Sequence, residues 1–154
     1  MTLSSISDHD VSSEKYLRGK YSICGVGETT YRRGSEESTR SLATWAISNA
    51  MADAGMKPED VDGMLSYSGN DSTHAPWVAG DLGIRLNFYM DVHGGGSSTE
   101  ALIGIAMGVI EAGMCKTVAI YRAMNGYSAV RIGCLLYTSP SPRDMRRSRM
   151  PSSA

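Results

Sequence analysis

The chain has few cysteines, almost no phenylalanine and no long apolar run, and its charges nearly cancel. It contains three Cys, one Phe and five Pro in 154 residues, and Lys+Arg 15 against Asp+Glu 16 gives a formal net charge of -1. So few cysteines, with no C-x-x-C pair, exclude a disulfide-caged scaffold and predict a cytoplasmic protein without structural zinc. The charge balance argues against a nucleic-acid surface. Since a bilayer span takes about 20 apolar residues, no membrane span is expected either.

Composition divides the chain into three parts. The first 18 residues are rich in Ser and Asp and lack the apolar stretch of a secretory signal, so we predict a disordered N-terminal arm over 1–18. Residues 19–133 have the patterning of one folded domain. Residues 134–154 hold three of the five Pro and four of the fifteen basic residues, without any periodicity.

The last segment has a second, sharper interpretation besides a disordered basic tail. It reads CLLYTSPSPRDMRRSRMPSSA. The run CLLYTSPSPRD resembles the in-frame translation of a transposase-type sequencing adapter, and SRMPSSA resembles the flow-cell end of the same adapter. We therefore interpret 134–154 as a non-native, adapter-derived tail, exclude it from fold reasoning, and expect the natural protein to continue beyond Gly133.

Within 19–133, short β-type runs alternate with helical segments. The first helix has apolar residues at helical spacing from Leu42 to Ala54, and Gly55 stands where a helix commonly ends. The predicted strands are Tyr21–Gly27, Gly63–Ser68, Phe88–Val92 and Lys116–Tyr121, and the helices begin near Ser35 or Ser38, near Trp77 and at Ser97. This β-α-β-α-β-α-β order predicts an α/β fold, a mostly parallel sheet with helices on both faces.

The helix that starts at Ser97 is apolar or small on every side. Ser97 and Glu100 form an S-x-x-E capping box at its start. A helix without a polar face has to be covered all round, so we expect it to lie between two sheets. Gly104 and Gly108 each cost roughly 1 kcal/mol of helix propensity, and we therefore expect that close packing requires them.

The segment His93-Gly-Gly-Gly-Ser-Ser-Thr-Glu100 is the chemically suggestive part of the sequence. A strand, a glycine turn and a helix start in succession present free backbone N–H groups, which suit phosphate, carboxylate or an oxyanion. The predicted substrate-binding residues are His93, Gly94, Gly95, Gly96 and Ser97, and no metal ligand is predicted. Alternatively, the glycines only allow a tight turn beneath a neighbouring strand.

Two known glycine motifs can be tested against this segment. A phosphate-binding P-loop requires a Lys after its last glycine, and none follows here. The HGGG run is also similar to the oxyanion loop of lipase-type α/β-hydrolases. That interpretation requires a later G-x-S-x-G elbow, which is absent through Gly133.

The ordered set GVGET, DAGM, KPEDVDGM, HGGGSS and VAIYRAMNG resembles the N-terminal half of thiolase-fold proteins. The resemblance is strongest to the lipid-transfer, sterol-carrier-type thiolase-like group. It implies a five-layer α-β-α-β-α sandwich, of which 19–133 would be an incomplete N-terminal part. It also implies a homodimer through Asn87–Val92 and the following helix, and a coenzyme A thioester as substrate rather than a bound cofactor.

Family members with thiolase activity carry a nucleophilic Cys at the start of this helix, where the present chain has Gly96. Ser97 and Ser98 follow as weak substitutes, because an unactivated hydroxyl is a poor nucleophile. We therefore expect carbon–carbon cleavage of the retro-aldol type, or acyl transfer, on a lipid- or sterol-derived acyl-CoA, as in steroid degradation. An acyl-CoA-binding accessory protein is the expected partner.

Two other functions stay open at this point. A non-catalytic acyl-CoA- or lipid-binding subunit is the alternative, and an α/β-hydrolase is the third possibility. The 133 residues alone are not expected to be catalytic, because the family builds its site from both halves.

Overall fold

The computed structural model describes residues 17, 19–32, 34–68 and 72–126. The predicted adapter-derived tail over 134–154 lies outside the described residues, and so does the predicted N-terminal arm over 1–18 apart from residue 17. The elements are α1 (Thr39–Ala54), a 3₁₀ turn (Pro58–Asp60), β1 (Gly63–Tyr67), α2 (Ala75–Leu82), β2 (Phe88–Val92), α3 (Ser98–Glu111) and β3 (Val118–Tyr121). Over these ranges, no helix is both long and apolar enough to cross a bilayer.

The three strands form a parallel sheet in the order β2-β1-β3. Leu65 of β1 stands opposite Met90 of β2 and Ile120 of β3. The crossover through α2 runs in one direction across the sheet and the crossover through α3 returns in the other. Because such crossovers are right-handed, the reversal places α2 and α3 on opposite faces. The predicted α/β fold with a parallel sheet and helices on both faces is confirmed.

Each face of the sheet has its own core. Met64 points toward α1 and α2, where it packs with Ala43, Ile47 and Val78. The next residue, Leu65, points to the opposite face because side chains alternate along a strand. There it packs with Leu102 and Ala106 of α3. The sheet is therefore the middle of three layers in the described residues.

Helix α1 begins and ends as its sequence predicts. Of the two candidate caps, Ser38 is the one used: its hydroxyl oxygen accepts from the Ser41 amide at 3.0 Å. Gly55 terminates the helix in the left-handed region at φ 66°, which only glycine adopts without strain. Ala43, Ile47 and Met51 form the buried stripe.

The predicted strand over Tyr21–Gly27 is wrong. The segment pairs with no strand among the described residues and lies against α1, with the Val26 amide donating to Asp53 Oδ2 at 2.9 Å. A side chain at Gly25 or Gly27 would overlap the α1 backbone. A cavity of about 320 Å³ lies between this segment, α1 and β3. An apolar segment forms a strand only where a neighbouring strand can pair with its backbone. Here the segment packs against helix α1, which offers no such pairing.

Asp62 joins the amino ends of the strands. Its carboxylate accepts from the amides of Lys116 at 2.8 Å and Thr117 at 3.0 Å and from Asn87 Nδ2 at 3.2 Å. Partial burial alone would raise the pKa of Asp62, but the hydrogen bonds donated by Thr117, Lys116 and Asn87 outweigh it and hold the pKa below its usual value.

Helix α3 is covered on one side only in the described part of the chain. Ser98, Leu102 and Ala106 are buried against the sheet, whereas Ile103 is 44% exposed. A Cβ added at Gly104 or Gly108 would meet nothing within 4 Å. The expectations of all-round cover and of close packing at these glycines therefore fail for the described residues, because a single sheet contacts the helix.

Candidate functional site

The glycine segment forms an elbow at the carboxyl edge of the sheet. We define the elbow as His93–Ser97, between the end of β2 and the start of α3. Its residues are exposed, while the following Ser98 is buried. A Cβ added at position 94 would overlap the Ser98 hydroxyl oxygen, which would have to rotate away. Positions 95 and 96 face open space.

Two hydrogen bonds fix the peptide planes of the elbow. Tyr67, at the end of β1, donates its hydroxyl to the Gly94 carbonyl oxygen at 2.6 Å. The Ser98 amide donates to the Gly95 carbonyl oxygen at 3.0 Å. In a trans peptide the N–H points away from the carbonyl of the same unit. The Gly95 amide therefore points away from Tyr67, and the Gly96 amide points away from the helix.

These two amides are available to bind an anion. Among the described residues, neither Gly95 N–H nor Gly96 N–H donates to another protein group. Both lie at the N-terminal end of α3, where the helix dipole favours negative charge. The arrangement can stabilise an oxyanion without contributing a reactive side chain.

The predicted capping box at Ser97 is wrong. Ser97 has φ −70° and ψ −7°, and its side chain makes no capping bond. A capping side chain reaches the helix amides from an extended backbone, whereas Ser97 is already in the helical region. The helix starts instead through backbone turns, in which Ala101 N donates to Ser97 O at 3.3 Å.

The side chains of the elbow do not form a nucleophile–base pair. His93 and Ser97 are exposed, and Ser98 is packed beneath Gly94. Within the part of the chain that the structure describes, neither serine hydroxyl bonds to a histidine. Without a base to remove its proton, a serine hydroxyl remains a weak nucleophile.

A polar cluster that sequence analysis missed lies on the other face of the same edge. Asp91 accepts from the Ala75 amide at 2.9 Å and from the Ser66 hydroxyl, and its Oδ2 lies 3.0 Å from His74 Nδ1. Tyr121 donates to the Thr73 carbonyl at 2.5 Å, and burial raises the pKa of its phenol. A lone acidic residue inside the apolar strand Phe88–Val92 was the available signal for this cluster, because such a buried charge needs partners.

Arg122 supports the end of β1 and was also missed. Its Nη1 donates to the Tyr67 carbonyl oxygen at 2.8 Å and to the Ser72 hydroxyl. Its guanidinium carbon lies 4.1 Å from the centre of the Tyr67 ring. Both residues follow the rule that parallel sheets place functional groups at the carboxyl ends of their strands.

The elbow lies outside two cavities of the described residues. The cavity of about 320 Å³ lies beside β3, and a second of about 760 Å³ lies between residues 27–37, the start of α1 and residues 122–125. Neither is lined by His93–Ser97. The predicted substrate-binding residues therefore form an open surface in the described part of the chain, and their assignment remains a prediction.

The chain is similar to known proteins both in sequence and in structure. No protein-family model matches the sequence. Over 118 residues the chain is 36% identical to the 17-hydroxy-3-oxo-4-pregnene-20-carboxyl-CoA lyase of Mycobacterium tuberculosis. The aligned region covers 76% of this chain and 30% of the lyase. The solved structure of an Ltp2-ChsH2(DUF35) aldolase superposes with a TM-score of 0.67 at 31% identity, covering 78% of this chain and 33% of that one. The predicted resemblance to thiolase-fold proteins is confirmed.

A second similar structure is that of a thiolase-like protein of the sterol-carrier type. The SCP2-thiolase-like protein type 1 from Mycobacterium smegmatis has a TM-score of 0.56 at 26% identity, over 67% of this chain and 23% of that one. The resemblance to the lipid-transfer, sterol-carrier-type thiolase-like group is thereby confirmed. The chain spans about a third or less of the length of these relatives.

The hydrolase alternative is not favoured. The glycines of this chain enter helix α3 directly at Ser98, whereas an HGGG oxyanion loop of a lipase lies in a loop of its own. The three similar proteins named above are a lyase, an aldolase and a thiolase-like protein.

Proposed function

We propose that residues 19–133 are the N-terminal part of a thiolase-like enzyme that cleaves a carbon–carbon bond in a lipid- or steroid-derived β-hydroxyacyl-CoA. The observation that carries the proposal is the elbow itself. It offers two outward amides at Gly95 and Gly96 and no thiol. The lyase and aldolase relatives support the same reaction class.

The proposed reaction balances without a covalent intermediate. A base outside the described residues removes the proton of the substrate's β-hydroxyl group. The bond between the α and β carbons then breaks, the β carbon leaves as a ketone, and the electron pair forms a thioester enolate. The Gly95 and Gly96 amides would stabilise the enolate oxygen. Protonation of the α carbon releases a shortened acyl-CoA.

The absence of a side chain at position 96 suits this substrate class. A Cβ at Gly96 would project into open space, with no neighbour within 4 Å. A β carbon that carries a hydroxyl and two further carbons is bulkier than the linear chain of an ordinary thiolase substrate. Glycine in place of cysteine would therefore leave room for the branched carbon.

Two partners fit the proposal. We expect a homodimer through β2, an edge strand whose Tyr89 is 54% exposed and whose Met90 is 41% exposed. An accessory acyl-CoA-binding protein is the second partner, since the solved aldolase contains a ChsH2(DUF35) component. The few cysteines support a reducing compartment such as the cytoplasm.

The test uses the complete gene product, obtained by sequencing the locus past codon 133. It is incubated with a β-hydroxyacyl-CoA whose β carbon is a tertiary alcohol, and separately with acetoacetyl-CoA plus free coenzyme A. The proposal expects a ketone and a shortened acyl-CoA from the first substrate and no thiolysis of the second. Thiolysis of acetoacetyl-CoA would contradict it. Binding of both thioesters without turnover would favour the acyl-CoA-binding subunit instead.

A further inference from the structure

Tyr67 is the side chain that connects the central strand to the elbow. Its hydroxyl bonds the Gly94 carbonyl at 2.6 Å, across 27 residues of sequence. Gly94 is followed by two glycines with no neighbour within 4 Å of a built Cβ. Such a segment has little conformational preference of its own, because glycine populates both signs of φ.

The tyrosine is itself held by Arg122. One guanidinium nitrogen bonds the Tyr67 carbonyl oxygen at 2.8 Å, and the guanidinium group lies over the aromatic ring at 4.1 Å. The same nitrogen also donates to the Ser72 hydroxyl. Main chain and ring of Tyr67 are thus fixed by one residue that immediately follows β3.

Losing the phenolic hydroxyl would free the peptide between Gly94 and Gly95. A flip of this peptide would exchange its outward N–H for a carbonyl oxygen, which repels an enolate. We propose that Tyr67, supported by Arg122, is the positioning residue that keeps the Gly95 amide directed outward. This inference rests on the proposed function of the elbow amides. Tyr67 would not itself touch the reacting atoms.

The direct test measures the orientation of the Gly95 N–H bond in the 154-residue chain by residual dipolar couplings. Tyr67→Phe removes the hydroxyl only. The matched control is Tyr31→Phe, because Tyr31 is 84% exposed and its hydroxyl donates to the nearby Glu28 at 2.9 Å. We expect averaging to shrink the Gly95 coupling toward zero in Tyr67→Phe and to leave it unchanged in Tyr31→Phe. An unchanged coupling in Tyr67→Phe overturns the inference.

A second arm measures turnover by the complete gene product. Tyr67→Phe should lower kcat about 10-fold and leave KM within about twofold, since the amide acts on charge that develops in the transition state. Arg122→Lys keeps the charge but loses the planar stacking, and should give a smaller loss of kcat with partial averaging of the coupling. It also keeps the test open if Tyr67→Phe does not fold.

The two arms separate this inference from the proposed function. If the wild-type gene product cleaves its substrate and Tyr67→Phe retains full kcat, the positioning role is wrong and the lyase function stands. If the coupling averages in Tyr67→Phe but the wild-type protein shows no cleavage, the lyase function is wrong and control of the amide by Tyr67 stands.

Discussion

Neighbouring glycines of the elbow have opposite tolerances for a methyl group. Gly94 is packed against the Ser98 hydroxyl oxygen, whereas Gly96 faces open space. A side chain at Gly94 requires the Ser98 hydroxyl to rotate, whereas a side chain at Gly96 meets no neighbour within 4 Å. Residues that look identical in the run Gly94-Gly95-Gly96 therefore carry different constraints.

This difference predicts the behaviour of two alanine variants. Gly94→Ala should destabilise the chain by about 1 kcal/mol, because the hydroxyl of the buried Ser98 has to leave its present rotamer. Gly96→Ala should change stability by less than about 0.5 kcal/mol but lower turnover of a branched β-hydroxyacyl-CoA in the complete gene product. Denaturant unfolding and steady-state kinetics measure the two effects. Equal stability of both variants would contradict the packing described at Gly94.

Asp62 should make the free energy of unfolding depend on pH. Its pKa in the folded chain is held below the unfolded value of about 3.9. Its stabilising contribution is therefore complete above that value and is lost as the pH falls through the folded pKa.

Asp62→Asn should lower the free energy of unfolding at pH 7 by about 1–3 kcal/mol, because the hydrogen bonds from Lys116, Thr117 and Asn87 lose a charged acceptor. The difference from wild type should shrink below about pH 4. Glu59→Gln, at an exposed site in the neighbouring 3₁₀ turn, is the matched control. Denaturant titrations at several pH values measure this, and a difference that grows with acidity would contradict the account.

At the level of elements, sequence predicted what depends on local signals. Helix α1 has its cap at Ser38, its apolar stripe and Gly55 within one continuous segment, and β2 matches Phe88–Val92 residue for residue. The segment Tyr21–Gly27 failed because a strand depends on a distant neighbour, and here the chain contacts α1 instead.

In the candidate site, too, features that depend on adjacent residues could be predicted and long-range contacts could not. The elbow could be predicted because strand, glycines and helix are adjacent in sequence. The Tyr67 bond to Gly94 and the contacts of Arg122 could not, because they join residues that are 27 and 55 positions apart. The missing cap at Ser97 shows that a local motif can also mislead. The S-x-x-E motif is present, but the helical backbone conformation of Ser97 prevents the capping bond.

Helix α3 gives a prediction about its uncovered face. Gly104→Ala and Gly108→Ala should each stabilise the 154-residue chain by up to about 1 kcal/mol, because alanine improves helix propensity and meets no neighbour. Gly80→Ala, at an exposed position in α2, is the control and should behave alike. Thermal unfolding measures the change. Destabilisation at Gly104 or Gly108, with a gain at Gly80, would mean that another layer packs on α3.

At the scale of the whole molecule, the edge strand β2 and helix α3 both expose apolar side chains. Tyr89 and Met90 of the edge strand β2 are exposed, as is Ile103 of α3. An unpaired strand edge beside an apolar helix face favours association with another chain. The same region is where the proposed homodimer would form.

Self-association should therefore depend on β2. Sedimentation velocity of the 154-residue chain should show a dimer or larger species, and Tyr89→Glu should shift it toward the monomer. Ile23→Glu alters a side chain that is 75% exposed in the segment beside α1 and should leave the distribution unchanged. A wild-type chain that is monomeric at all concentrations would contradict the proposed surface.

The central claim is that this thiolase-like elbow acts without a covalent acyl intermediate. Intact-mass analysis of the complete gene product during turnover of a β-hydroxyacyl-CoA tests it most directly. The account predicts that ketone and shortened acyl-CoA accumulate while the protein mass stays unchanged. An acyl adduct on Ser97 or Ser98 that forms and disappears at the rate of turnover would contradict it.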